Sequence, residues 1–460
     1  MSVTTFIPNA ASKDARFVYA GPVSENQHRA LFLEALRPDD PPAMLRGAVL
    51  LPSGIDLPRL HTAFHCISRV QEVFRTRFER SSDGFVQFVS EEGGLEFDEQ
   101  RFEGNAEELV RSLKEDRLFD ILQPPISAFQ QAPLARATLL RCDDGAIVLA
   151  VFFHHVIFDG MSSAIFMRQL IDFYSADDPE ALVQLMRRRC APYSEFVAYQ
   201  HEHLSGSRAL ELLGFWRRYL DGVIPISSSI NNLDLFCAVE TEIQFDASAV
   251  DTLNLLCSRH ALTPHVLLLG CFQLAIAAVT GERSILTGTP VKNRPSRFAD
   301  TVGLFVNPVV IRNVLDIDRS LLDNILALRG SASQAYRHGS LPLRRIISGL
   351  FTDLSAQRKP LFQSWFSIQV MTADADFQAA NNFTVFNMPA GRAVTIDQSL
   401  ELQSIDGGLC GHLVTDSRVD ADGATARAFL TIVDAMINNS TIALGDLLNV
   451  LLSDTTAVID

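Results

Sequence analysis

The stretch Ala146-Ile147-Val148-Leu149-Ala150-Val151-Phe152-Phe153-His154-His155-Val156-Ile157-Phe158-Asp159-Gly160 joins an unbroken apolar run to two histidines and an Asp-Gly pair. The run is rich in β-branched and aromatic residues and follows the turn-forming Asp143-Asp144-Gly145, so it predicts a buried strand. Beyond it, Ile165, Phe166, Leu170, Ile171, Phe173 and Tyr174 return to helical spacing, which predicts a helix over Met161 to Tyr174. The histidines therefore sit on a strand-to-helix turn. Side chains alternate along a strand, so His154 and His155 point to opposite faces. If His154 turns inward to make structural hydrogen bonds, His155 is free to meet a substrate. Asp159 reads equally well as a helix cap or as part of the chemistry. Gly160 reads first as a turn residue, but a glycine at a helix N-terminus also lets backbone N–H groups approach an oxyanion.

Working outward, Ser24-Glu25-Asn26-Gln27 has the form of a capping box and predicts that a helix opens there, after a polar arm over residues 1–20. Leu60, Phe64, Ile67, Val70 and Phe74 predict a further helix over Leu57 to Phe74, and Val86 to Val89 a short strand. The charged segment with Arg187-Arg188-Arg189 and Pro192 predicts a connection between lobes over residues 186–207. The first lobe then covers 21–185 and the second 208–460. In the second, helices are expected over Ala249 to Arg259, Pro264 to Thr280 and Thr425 to Ile437, with strands over Ser284 to Thr289, Asn307 to Val314 and Leu361 to Val370. The class is mixed α/β. The arginine run reads as a solvated face, with docking of an acidic partner as the alternative.

At 460 residues, 47% hydrophobic and 20% charged, the chain has material for two or three cores of roughly 150 to 200 residues each. A formal charge of −15 repels phosphate backbones and anionic lipid, so neither nucleic acid nor a membrane is an expected partner. The seven cysteines are odd in number and scattered, giving neither a zinc pair nor a disulfide framework. With no apolar run of spanning length, a reduced, cytoplasmic location is expected. His61 and His65 have the i, i+4 spacing of a metal pair, but no glutamate follows His61 to complete HExxH and no third ligand stands out; like His201 and His203 they read as solvated. GxSxG, Walker and GxGxxG motifs are missing from the sequence. What remains is a histidine without a protein nucleophile.

These residues match a family. HHxxxDG at His154 to Gly160, Pro22-Val23-Ser24-Glu25-Asn26-Gln27 and Phe74-Arg75-Thr76-Arg77-Phe78 resemble motifs of nonribosomal peptide synthetase condensation domains, in the chloramphenicol acetyltransferase-like superfamily. So do Pro133 to Ala137, Gly288 to Arg294, Val302 to Asn307 and Pro360-Leu361-Phe362-Gln363. Two positions depart from the pattern: Gln71 replaces a usual histidine and Met161 a usual aromatic, and both are expected to reshape the tunnel.

The resemblance implies two acetyltransferase-like lobes in a V-shaped pseudo-dimer with an active-site tunnel between them, entered by phosphopantetheine arms. It implies His155 as the catalytic residue, Gly160 N–H as an oxyanion donor, His154 as structural, and Asp159 turned from substrate to pair with Arg294. Ser162 and Ser367 become candidate tunnel-lining residues. No tightly bound cofactor or metal is expected. Carrier and adenylation regions are missing, so a free-standing monomer is expected, taking its donor from a carrier protein in trans and passing the acyl group to an amine or alcohol that is carrier-bound or free. Rival readings are a coenzyme A-dependent, ester-forming acyltransferase and a non-catalytic recruitment module on the same fold.

Overall fold

Ile147–His154 is the predicted strand, third of five in a sheet whose order is Thr384–Asn387, Met44–Leu50, Ile147–His154, Ala135–Cys142, Glu96–Phe102. Its unbroken apolar run is explained by burial on both faces. Leu149, Val151 and Phe153 enter a cluster with Phe64, Phe74, Phe158 and Phe166, while Val148, Ala150 and Phe152 pack with Leu109 and Leu113. The computed structural model describes residues 16–36, 38, 42–82, 84–114, 126–130, 133–223, 237–351, 361–369, 384–387, 396–405 and 407–456.

The chain divides into two units. The first comprises Met1–Ser205, Arg294–Val306 and Thr372–Ala393; the second comprises Gly206–Asn293, Asn307–Met371 and Val394–Asp460. The expected contiguous lobes are corrected in three places. Residues 186–207 are not an irregular connection: helices Pro179–Arg189 and Tyr193–His203 occupy most of that span, and the division falls after Ser205. Val183 and Met186 on the first helix and Phe196 and Val197 on the second sink into the first core, a stripe that the charge run concealed. The second correction is that residues 294–306 and 372–393, assigned by sequence order to the second lobe, belong to the first unit. The third concerns the N-terminal arm. Its residues 1–15 lie outside the described residues, but Phe17–Pro22 is a strand paired antiparallel with Gly84–Ser90.

Local signals set the helix starts. Gln27 N donates to Ser24 Oγ at 3.1 Å and Ser24 N to Gln27 Oε1 at 3.0 Å, a reciprocal capping box that opens Glu25–Leu36. Asp56 caps Leu57–Val70 through Arg59 N, with Pro58 in the first turn, where its missing N–H costs nothing.

The second unit holds a six-stranded sheet, order Asn307–Val314, Ser284–Val291, Ser364–Gln369, Gln398–Ile405, Gly408–Asp416, Ala238–Phe245. One face is apolar and meets helices Pro264–Thr280 and Ala424–Asn439, with Phe272 between Phe366 and Phe429. Among the described residues no single helix is long and apolar enough to cross a membrane; a pair bent by 102°, Ala247–His260 with Pro264–Thr280, passes by composition only, and its second member is the buried core helix of this unit.

Candidate active site

The strand ends in a single 3-10 turn, His155–Ile157, before the helix Gly160–Ser175 begins. Backbone bonds pin both histidines: His154 N donates to Leu134 O at 2.8 Å and His155 N to Ala43 O at 2.9 Å. Their side chains then settle into opposite tautomers.

His154 is 2% exposed. Its Nδ1 accepts from Val156 N at 3.0 Å, so the ring is neutral with its proton on Nε2. That nitrogen stands 3.2 Å from Glu34 Oε2, at ion-pair distance but outside hydrogen-bond geometry. Burial acts to raise the Glu34 carboxyl; His154, Ser127 and a 2.7 Å bond from Ala128 N outweigh it and hold the group below the ordinary glutamate range. Nothing in the sequence signalled Glu34 as this partner.

His155 has Nδ1 at 2.7 Å from Phe158 O. A carbonyl only accepts, so Nδ1 carries the proton and Nε2 keeps its lone pair. The ring is part-exposed, yet burial by the surrounding protein disfavours an imidazolium and lowers its pKa; the Phe158 carbonyl and Asp159 work against that shift, while Arg29 adds to it. His155 is thus a neutral imidazole with a basic nitrogen free. Sequence reasoning missed Arg29, which lies on the capping-box helix.

Asp159 is fully occupied. Oδ1 accepts from Ser162 N at 2.9 Å, Ser162 Oγ at 2.8 Å and Arg294 Nη2 at 2.9 Å; Oδ2 accepts from Phe305 N at 2.9 Å and Val306 N at 3.2 Å. The capping and arginine-pairing readings therefore hold together rather than competing. Both side chains are almost completely buried. Arg294 also donates to Thr301 O and Ser162 Oγ and lies 3.9 Å over the Phe305 ring. With every lone pair engaged, Asp159 has none left to relay a proton.

Ser162 does not line a tunnel. It is fully buried; its one hydroxyl hydrogen is shared between Asp159 Oδ1 and Gly303 O, and its oxygen accepts from Arg294 and Gly303 N. Gly160, by contrast, is exposed, and a Cβ there would meet nothing within 4 Å. As the first residue of its helix it has no intrahelical acceptor for its N–H, and the dipole of Gly160–Ser175 points its positive end there. Ser367 is 5% exposed on the six-stranded sheet of the second unit.

Gln71 is buried too, so its departure from the family pattern bears on a network and not on a substrate surface. It donates to Gln169 Oε1 and Asp300 O and accepts from Val302 N, fastening the 294–306 segment. Arg187, Arg188 and Arg189 are all exposed, as a solvated face requires; Arg187 reaches Arg69 O and Arg189 reaches Asp300. His61 and His65 are exposed, and no group of metal-ligating side chains occurs among the described residues.

A family model described as Condensation domain matches residues 20–401. The chain belongs to the condensation-domain family. A linear gramicidin synthase protein of Brevibacillus parabrevis is 27% identical over 368 residues, 77% of this chain and 7% of that protein. Chondramide synthase cmdD of Chondromyces crocatus is 26% identical over 446 residues, 93% of this chain and 11% of that protein. This chain thus spans a small part of the curated relatives it matches. Among solved structures, the condensation domain of the monacolin K polyketide synthase MokA superposes with TM-score 0.77 at 17% identity, covering 93% of this chain and 99% of that one. SgcC5 of Streptomyces globisporus gives 0.73 at 20% identity, covering 92% and 100%, and the X-domain from teicoplanin biosynthesis 0.73 at 18%, covering 95% and 98%. At these identities the structural likenesses establish the condensation-domain fold.

Proposed function

We propose that this condensation domain acts as a free-standing enzyme that moves an acyl group from a phosphopantetheine thioester on a carrier protein to an amine or hydroxyl acceptor. The observation that carries the reading is the tautomer of His155: Nδ1–H fixed on Phe158 O at 2.7 Å leaves Nε2 as a base. The acceptor's lone pair bonds to the thioester carbon while Nε2 takes its proton. The carbonyl π pair moves to oxygen, where the Gly160 N–H donates to it. Collapse expels the phosphopantetheine thiolate, which recovers the proton from Nε2 and leaves an amide or ester. Asp159, Arg294, Ser162 and His154 hold this turn and do not touch the reacting atoms. Substrates arrive on partner proteins, so no tightly bound cofactor enters the scheme.

The test mixes the enzyme with acyl-loaded carrier proteins, acyl-coenzyme A and a panel of amines and alcohols, and follows products by mass spectrometry. Products formed from the carrier-bound donor and lost in His155→Ala support the reading. Equal use of coenzyme A favours an ester-forming acyltransferase. A recruitment role draws on the likeness to the teicoplanin X-domain, which is known in complex with OxyB; no transfer from any donor would favour it.

A further inference from the structure

Strand alternation sorts the six-stranded sheet of the second unit into two unlike faces. Phe366, Leu400, Leu402, Leu413 and Ile243 form the apolar one. On the other, Trp365 stands opposite Ser399 and Ser367 opposite Glu401, with His412 opposite Glu401 on the next strand. The helices that touch this sheet's aromatic side chains do so on the apolar face, through Phe272 against Phe366 and Phe429 against Phe245.

The polar face is nonetheless withdrawn from water at its centre. Ser367 and Ser399 are buried, and Glu401 and Trp365 half-buried. Glu401 receives one long hydrogen bond, 3.5 Å from Ser399 Oγ, and forms no ion pair with any described residue. His412, the nearest basic side chain by register, pairs with Glu240 at 3.1 Å instead. Burial raises the Glu401 carboxyl above the ordinary glutamate range, with Ser399 offsetting only part of it. Just before the strand that carries Trp365, Gln363 is 8% exposed and neither Oε1 nor Nε2 has a hydrogen-bond partner among the described residues. A buried polar group left unmade costs on the order of 1 to 3 kcal/mol, and the Gln363 amide leaves both its polar atoms so at the start of this strand. Such a surface is built for a polar ligand.

The composition of the centre says which. A carboxylate, an indole face and a hydroxyl on adjacent strands match an ammonium: the charge meets Glu401, the C–H and N–H edges meet the Trp365 ring, and Ser367 accepts a hydrogen bond. Trp365 stands two positions from Glu401 in the register of two adjacent parallel strands, on the same face of the sheet. We propose that Trp365, Ser367 and Glu401 form a binding subsite for a protonated primary amine carried by a substrate. An ammonium has no lone pair, so the nitrogen held here is not the nucleophile; the substrate reacts through another group, a second amine or a hydroxyl, as in a diamine, a basic amino acid or an amino alcohol. The proposal rests on the acyl-transfer reading only in taking its ligand to be a substrate.

Both tryptophans emit, but Trp216 is fully buried, so a ligand-induced change in emission is assigned to the half-buried Trp365. The experiment titrates the whole chain with 1,5-diaminopentane and with 1,5-pentanediol at about 0.15 M salt, where surface attraction is screened beyond roughly 8 Å, in wild type, His155→Ala and Glu401→Gln. A saturable emission change with the diamine, at least tenfold weaker for the diol and for Glu401→Gln, and kept in His155→Ala, is expected. Equal affinity for the two probes, no saturable change with the diamine, or unaltered binding in Glu401→Gln overturns the subsite. The wild-type comparison of probes stands if the variant fails to fold. Binding in His155→Ala is read without turnover, so failure of the catalytic reading leaves this one testable.

Discussion

His155 shows how one carbonyl sets the chemistry of a residue. Phe158 O fixes the proton on Nδ1, and because burial disfavours the cation by more than that carbonyl favours it, the His155 pKa lies below the ordinary histidine range. The acid limb of kcat/KM is therefore expected below the usual histidine value of about 6.5, and a pH–rate profile measured against His155→Ala checks it. The sign for stability follows the same shift. A folded-state pKa below the unfolded one means the unfolded chain binds more protons, so this contribution is present above the unfolded value and lost as pH falls. His155→Ala is expected to melt within a few degrees of wild type while losing most turnover. Gly160 gives a second residue-scale prediction: its Cβ position is open, so Gly160→Leu should keep the melting temperature and lower kcat/KM by blocking approach to the turn. Thermal melts and single-substrate kinetics on the same preparation separate the two effects.

At the scale of elements, the turn is held by a segment from far along the chain. Residues 294–306 bring Arg294 to Asp159 and hang from Tyr193, whose hydroxyl donates to Leu304 O at 2.6 Å, from Asn26 and from Gln71. Removing Arg294 leaves a buried carboxylate short of its cation, so Arg294→Ala should cost about 3 to 5 kcal/mol, read from urea midpoints, and Arg294→Lys should recover only part because one ammonium cannot reach Thr301, Ser162 and Asp159 together. Gly303 is the tight point of the segment. A Cβ there would fall 2.2 Å from the Tyr193 ring, so Gly303→Ala should destabilise by about 1 to 3 kcal/mol through overpacking. The strand Thr384–Asn387 is borrowed in the same way, pairing with Met44–Leu50 at the edge of the first unit's sheet.

Over the whole molecule, this borrowing makes the first unit discontinuous. A fragment ending at Ser205 lacks Arg294, the residues that cap Asp159 and the edge strand at 384–387. It is expected to lack a cooperative melt in circular dichroism, whereas the full chain melts cooperatively; a sharply melting fragment would show that the returning segments are dispensable. Hydrogen exchange on the full chain should place the Ile147–His154 amides among the most protected, since the strand is buried on both faces and paired on both edges.

The sequence by itself determined what is local. The apolar run made a doubly buried strand, Ser24 to Gln27 made a capping box, Asn307 to Val314 made a strand, and HHxxxDG with its companion motifs pointed to the family. These signals lie within a turn or two of chain, where periodicity and capping chemistry act. What lay across long separations was decided by the tertiary structure: that Glu34 stands beside His154, that Arg294 and Gly303 come to Ser162, and that the apolar stripe of residues 183–197 packs into the first core. So was the second unit's polar sheet face, where Trp365, Ser367 and Glu401 become neighbours only through strand pairing. The physical reason is that charge runs and lone polar residues look alike in sequence whether they face water or a buried partner. Only packing says which, and here packing left His155 Nε2 free while it closed every lone pair of Asp159.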